Sequence, residues 1–154
     1  MITALYFAIV AVPAGLALRG LTSPENESLW VANSGVALLL GVIGFICWLL
    51  APRSYEFDKT KLTINRPAGK IIIPLNSIGS ADELPREELA GMIRTFGVGG
   101  LFGYYGAFWA PRIGHVRMHA TCTKGLVLIV TTTGKKIIIS PDDGSFAAGL
   151  RAAL

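Results

Sequence analysis

His115 and His119 are the only histidines in the chain, and their four-residue spacing limits what they can do together. On a strand they share a face but stand about 13 Å apart, at roughly 3.3 Å per residue. One metal ion cannot take both, so solvent-facing strand positions are the expectation for the pair. Cys47 lies in an uncharged run and Cys122 in the charged half, and no Cys-x-x-Cys occurs. Neither a disulfide nor a zinc site is expected from them. Asp82, Glu83, Glu87 and Glu88 surround Pro85 and read as a solvated loop or short helical turn. Neither Gly-x-Ser-x-Gly nor His-Glu-x-x-His is present. The sequence therefore implies no catalytic residue, no metal and no cofactor, and an enzyme is the reading with the least support.

Binding chemistry has a better foothold. The segment Arg94–Trp109 holds six of the fourteen aromatic residues and five of the eighteen glycines. Glycine permits positive φ and close backbone approach. A phosphate loop would need a following Lys-Ser/Thr, and a dinucleotide fingerprint would need Gly-x-Gly-x-x-Gly between strand and helix. Neither is met by Gly97, Gly99, Gly100, Gly103 and Gly106. The segment reads as a long connection between two halves of a barrel, with Phe96, Phe102 and Phe108 filling a core. Tyr104, Tyr105 and Trp109 are its candidate contact residues for a partner, a ligand or a bilayer interface.

Composition changes sharply near Pro52, and the elements that would hold such a segment differ on either side. Residues 2–18 carry no charge, and a second uncharged run covers 29–51. A bilayer core needs about 20 mostly apolar residues per helix. The second run meets that need, with Trp30 and Trp48 near its ends as interfacial anchors. The first sits at the lower limit and contains Pro13 and Gly15, which membrane helices tolerate. A cleaved signal peptide would want a basic start, and no Lys or Arg precedes Arg19. Two spans forming a hairpin over residues 1–52 are expected, with polar Asn33 and Ser34 and small Gly35, Gly41 and Gly44 pointing to packing of the two spans or of two copies. The loop between them offers Arg19 against Glu25 and Glu27, whereas Arg53, Lys59, Lys61, Arg66 and Lys70 follow the second run. The positive-inside rule then places both the N-terminus and residues 53–154 in the cytoplasm. Asn26-Glu-Ser28 matches a glycosylation sequon too short to carry weight.

Residues 53–154 carry thirteen Lys/Arg against eight Asp/Glu. Positive-inside bias accounts for much of that excess, and attraction to anionic headgroups is the other reading. The cations are scattered and form no nucleic-acid reader motif. Alternation in Tyr55-Glu-Phe57 and Leu62-Thr-Ile64 predicts half-buried strands. Lys70–Leu75 is a short β-branched run, residues 78–82 form a further short strand, and His115–Thr121 alternates again. Leu126–Val130 and Lys136–Ile139 flank Thr133-Gly134 as a hairpin. Ser140-Pro-Asp-Asp143 offers a helix N-cap, and Phe146, Leu150 and Leu154 give one apolar stripe. The expected fold is two transmembrane helices followed by about seven strands in a bent sheet or barrel, capped by a C-terminal helix.

That order, with Ile72-Ile-Pro-Leu75-x-x-Ile78, Arg94-x-Phe-Gly97, Gly100-Leu-Phe-Gly-Tyr-Tyr-Gly-x-Phe108 and Ser140-Pro-Asp142, resembles the bacterial pleckstrin-homology (PH) domain families. The resemblance covers residues 53–154. It implies a membrane-anchored binding or scaffold module at a bacterial inner membrane rather than a catalyst. The alternative is a structural subunit that assembles through its spans and sheet edges, with itself or with another membrane protein. The resemblance also directs attention to Lys59, Lys61 and Arg66 around the first hairpin, where eukaryotic PH domains hold inositol phosphates.

Overall fold

The computed structural model describes residues 2–20 and 27–154. Contacts divide the chain into two compact units, Met1–Trp48 and Leu49–Leu154. The first consists of α1 (Ile2–Gly20) and α2 (Glu27–Leu50), the latter extending two residues into the second unit. Val31–Leu50 is long and apolar enough to cross a membrane, whereas the apolar part of α1, Thr3–Arg19, is shorter. Of the two expected spans, one therefore has full length. The Tyr6 hydroxyl donates to the Leu40 carbonyl, and a Cβ at Gly44 would run into the Tyr6 ring. Small-residue packing thus falls at Gly44, while Gly35 and Gly41 face open space. Asn26, and with it the sequon, lies outside the described residues, as does the Trp30 side chain.

The second unit contains nine strands among its described residues. They are β1 (Ser54–Phe57), β2 (Lys61–Arg66), β3 (Gly69–Pro74), β4 (Ile78–Glu83), β5 (Ile93–Gly99), β6 (Tyr104–Ala110), β7 (Gly114–Ala120), β8 (Val127–Thr131) and β9 (Lys136–Ile139). A seven-residue helix, α3 (Phe146–Ala152), follows. β1, β2 and β3 form a three-stranded antiparallel sheet, and the other six are ordered β4-β8-β9-β7-β6-β5. Only β7 and β9 run parallel among these pairs. The expected seven strands become nine because Arg94–Trp109 is not a connection. It is most of the β5–β6 hairpin, at the open edge of the larger sheet.

Successive residues of a strand point to opposite faces, and the larger sheet uses both. On one face Ala81, Val127, Ile129 and Ile139 meet Leu62, Ile64 and Ile73 of the small sheet, and Phe146, Ala147 and Leu150 of α3. On the other, Phe108, Ala110, Val116, Met118 and Ile138 gather under Leu84, Ile113 and Leu126. The neighbours Ile138 and Ile139 therefore serve different cores. Arg151 fastens α3 to β4, its Nε donating to the Ala81 carbonyl and its guanidinium pairing with Asp82 at 2.7 Å.

Two local expectations are corrected. The helix begins at Phe146, not near Ser140, and Asp143 accepts from the Ser145 amide and hydroxyl just before it. Ser140 is buried instead, its Oγ accepting from the amides of Thr121 (2.7 Å) and Cys122 (3.3 Å). Those two loop amides need an acceptor away from water, and the hydroxyl supplies it. Leu154 lies beyond the helix and is exposed.

Candidate interaction surface

Register fixes which side chains share a face. Ile139, His119, Tyr105 and Val98 form one row across β9, β7, β6 and β5. Ile137, Arg117, Ala107 and Phe96 form the next, and His115, Trp109 and Ile93 a third. This is the face whose β4-β8-β9 half is covered by the small sheet and α3. Cover extends along the first row, where Tyr105 is only 6% exposed. It ends before the other two, where Phe96 is 81% and Ile93 57% exposed. Arg117 and His115 are exposed beside them, and Trp109 and Ala107 are half-buried.

The candidate aromatic residues therefore separate. Trp109 belongs to the open patch. Tyr105 shares its face but lies under the cover, so its loss would read as a packing defect. Tyr104 projects to the opposite face and packs on the second core. Of the three phenylalanines expected in a core, Phe108 is there, Phe102 is half-buried in the β5–β6 turn at φ 58°, and Phe96 is outside. A bulge between Arg94 and Phe96 explains the last. Opposing two residues to one changes the phase of the strand, so Phe96 joins Ile93 on the open face.

The hairpin cations also separate. Lys59 and Lys61 are exposed at one end of β2 and Arg66 is half-buried at the other, about 17 Å from Lys61 at 3.4 Å per residue. They do not converge on one anion. At the Lys59 turn, Asp58 Oδ1 accepts from the Thr60 amide (2.7 Å), the Thr60 hydroxyl (2.6 Å) and the Lys61 amide (3.1 Å). These bonds, with Thr60 first, hold the Asp58 carboxyl below its ordinary range. An incoming phosphate would meet a carboxylate and already occupied amides. Lys61 and Lys70 line a nearby groove of about 310 Å³ together with Glu56 and Asp58, so its charge is balanced.

Arg66 lies instead beside His119. The imidazole is half-buried and pushed down to about 4, first by burial and then by the Arg66 and Arg117 cations. His119 Nδ1 and Arg66 Nε are both buried without hydrogen-bond partners. His119 thus departs from the solvent-facing expectation, whereas His115 meets it. Next to them Tyr55 spans the two sheets, its hydroxyl donating to the His119 carbonyl at 2.8 Å and lying 3.4 Å from Ser140 Oγ. Burial raises the Tyr55 pKa, so the phenol stays neutral.

A family model of the bacterial PH domain matches residues 53–152. The chain belongs to the bacterial PH domain family. Neither the curated proteins nor the solved structures give a match. Two helices followed by a β-rich PH-like domain with a C-terminal helix is therefore the architecture, and a binding module is the function class a PH domain suggests. The structure also explains two glycines of the segment Arg94–Trp109. Gly97 and Gly106 oppose one another in β5 and β6 with φ of 124° and 123°. A Cβ on either would lie 2.7 Å from the Cα of the other. Sequence reading reached these glycines but not their pairing, which the irregular register hides.

Proposed function

We propose that this bacterial PH domain is a binding or scaffold module held at the cytoplasmic face of a bacterial inner membrane by its N-terminal helices. The observation that carries this reading is α2. Its 20-residue apolar run is only 6% buried, so it is not the core helix of a soluble domain. Large apolar residues such as Leu38, Leu39, Val42 and Phe45 lie exposed along it. A helix apolar all round needs an apolar solvent. α1, shorter but also apolar, packs on it through Tyr6 and Gly44 and completes a hairpin. Only Ala51, Pro52 and Arg53 separate α2 from β1, so a spanning α2 would keep the domain near the membrane. The five cations between Arg53 and Lys70 favour the cytoplasmic side.

The testing experiment is alkaline extraction of membranes from cells making the full chain, with a reporter at the C-terminus. The chain should stay in the pellet and the reporter should be active only in its cytoplasmic form. Release into the supernatant, or a periplasmic reporter signal, overturns the reading.

A further inference from the structure

We propose that copies of this chain assemble head to tail, with Phe96 of one copy seated in an acid-rimmed groove beside β4 of the next. Three observations carry this, and all of them lie within the unit Leu49–Leu154.

The first is a knob and a hollow on one molecule. Phe96 is 81% exposed, and Ile93 on the same face of β5 is 57% exposed. Exposed apolar side chains grouped in this way mark an interaction site. The hollow is a groove of about 340 Å³. Its floor is apolar, with Leu84, Leu126 and Ala147 all buried. Its volume is at the low end of the roughly 300–1,000 Å³ of small-molecule sites, and an aromatic side chain is an occupant of that size and polarity.

The second is charge. Glu83, Asp142 and Asp143 line the groove and no cation does. Glu83 and Asp142 make no salt bridge among the described residues. The knob has the opposite sign. Arg94 follows Ile93, and Arg117 lies two strands from Phe96 in the same row. Both are exposed, and neither makes a salt bridge among the described residues. From Leu89 to Pro141 the chain contains no Asp or Glu but six Lys or Arg. Complementary potentials of this kind steer encounter and fix the register. A face-to-face pair of patches would instead bring together cations of the same region.

The third is placement. β4 and β5 are the opposite edges of the six-stranded sheet, about 24 Å apart at 4.8 Å per strand. A copy cannot reach its own groove, and a copy whose knob is engaged still offers its groove. Heterologous contacts of this kind propagate into a ring or an open chain. The patch is small, so a single contact is weak. Closing a ring, in which every copy uses both edges, strengthens the assembly without new surface.

The test is photo-crosslinking of the full chain in mild detergent, with p-benzoylphenylalanine in place of Phe96. Illumination should give crosslinked dimers and longer species, with adducts at Leu84, Pro85 or Ala147 of a second copy. The yield should fall in high salt. Arg117→Glu should lower it about tenfold, the scale of one well-placed interface charge. Adding Glu83→Arg and Asp142→Arg to the same chain should restore it. All three side chains are exposed, so each variant should keep the melting temperature of the wild type. Adducts at Ile93 or Trp109 of the second copy would show a face-to-face pair, and adducts confined to residues 2–50 would show contact through the helices. Either result overturns the proposal. So does an absence of crosslinked dimers, or a yield that the charge reversal leaves unrestored.

Discussion

Gly97→Ala tests whether the paired glycines of the β5–β6 hairpin are a backbone requirement. At φ 124° an alanine is strained by about 1–2 kcal/mol. Its Cβ would also lie 2.7 Å from the Gly106 Cα, about 1 Å inside an ordinary carbon–carbon contact. The obstruction is backbone, so no side chain can rotate away. β5 must separate from β6 and weaken at least one ladder hydrogen bond, worth about 1 kcal/mol. With the steric residue, the total is about 3–4 kcal/mol. For a domain near 100 residues that lowers Tm by roughly 15–30 °C. Gly114→Ala is the control, since φ is 83° there and nothing lies within 4 Å of a Cβ. It should lose only the strain, about 5–15 °C. Scanning calorimetry of the full chain in detergent gives both values. The double variant Gly97→Ala/Gly106→Ala should cost less than the sum, because one separation of the strands relieves both contacts. Equal losses at 97 and 114, or additivity in the double variant, would refute the contact argument.

His119 should make the domain acid-sensitive. Its folded pKa of about 4 lies below the ordinary 6.5, so between these values the unfolded chain binds more protons and stability falls as pH drops. The loss is at most about 3 kcal/mol and should be absent above pH 6.5. Denaturant titrations of the wild type and His119→Gln should diverge within that window, and parallel curves would exclude the effect. Ser140→Ala should destabilise by about 1–3 kcal/mol by leaving two amides without their acceptor, more than Tyr55→Phe, which removes one donor. The reverse order in chemical denaturation would show that the phenol, not the serine, carries the junction between the sheets.

What the sequence makes legible follows from how local each signal is. Tyr55–Phe57, Leu62–Ile64 and the Leu126–Ile139 hairpin alternate cleanly, and they are strands with the partners proximity suggests. The uncharged runs are helices and Phe146–Leu150 is the capping helix. The β5–β6 hairpin is not legible for three physical reasons. Its glycines have low strand propensity, the bulge near Thr95 breaks the period of two, and Gly97 and Gly106 look like turn residues until their pairing is known. The fate of Ser140 is hidden because its partners, Tyr55 and Thr121, lie 85 and 19 residues away. The candidate surface was half visible. Trp109 could be singled out by type, but Arg66 reaches His119 only through the stacking of two sheets.

The open patch is a consequence of unequal sheets. At 4.8 Å between strands, three strands span about 10 Å and six about 24 Å, so the small sheet and α3 cannot cover a whole face of the larger one. On the opposite face the segment around Leu84, Leu89 and Met92 takes up the slack. On the open face nothing among the described residues does, and there the chain places Ile93, Phe96 and Trp109 beside Arg117. A free domain with so small an apolar patch would bind any surface weakly.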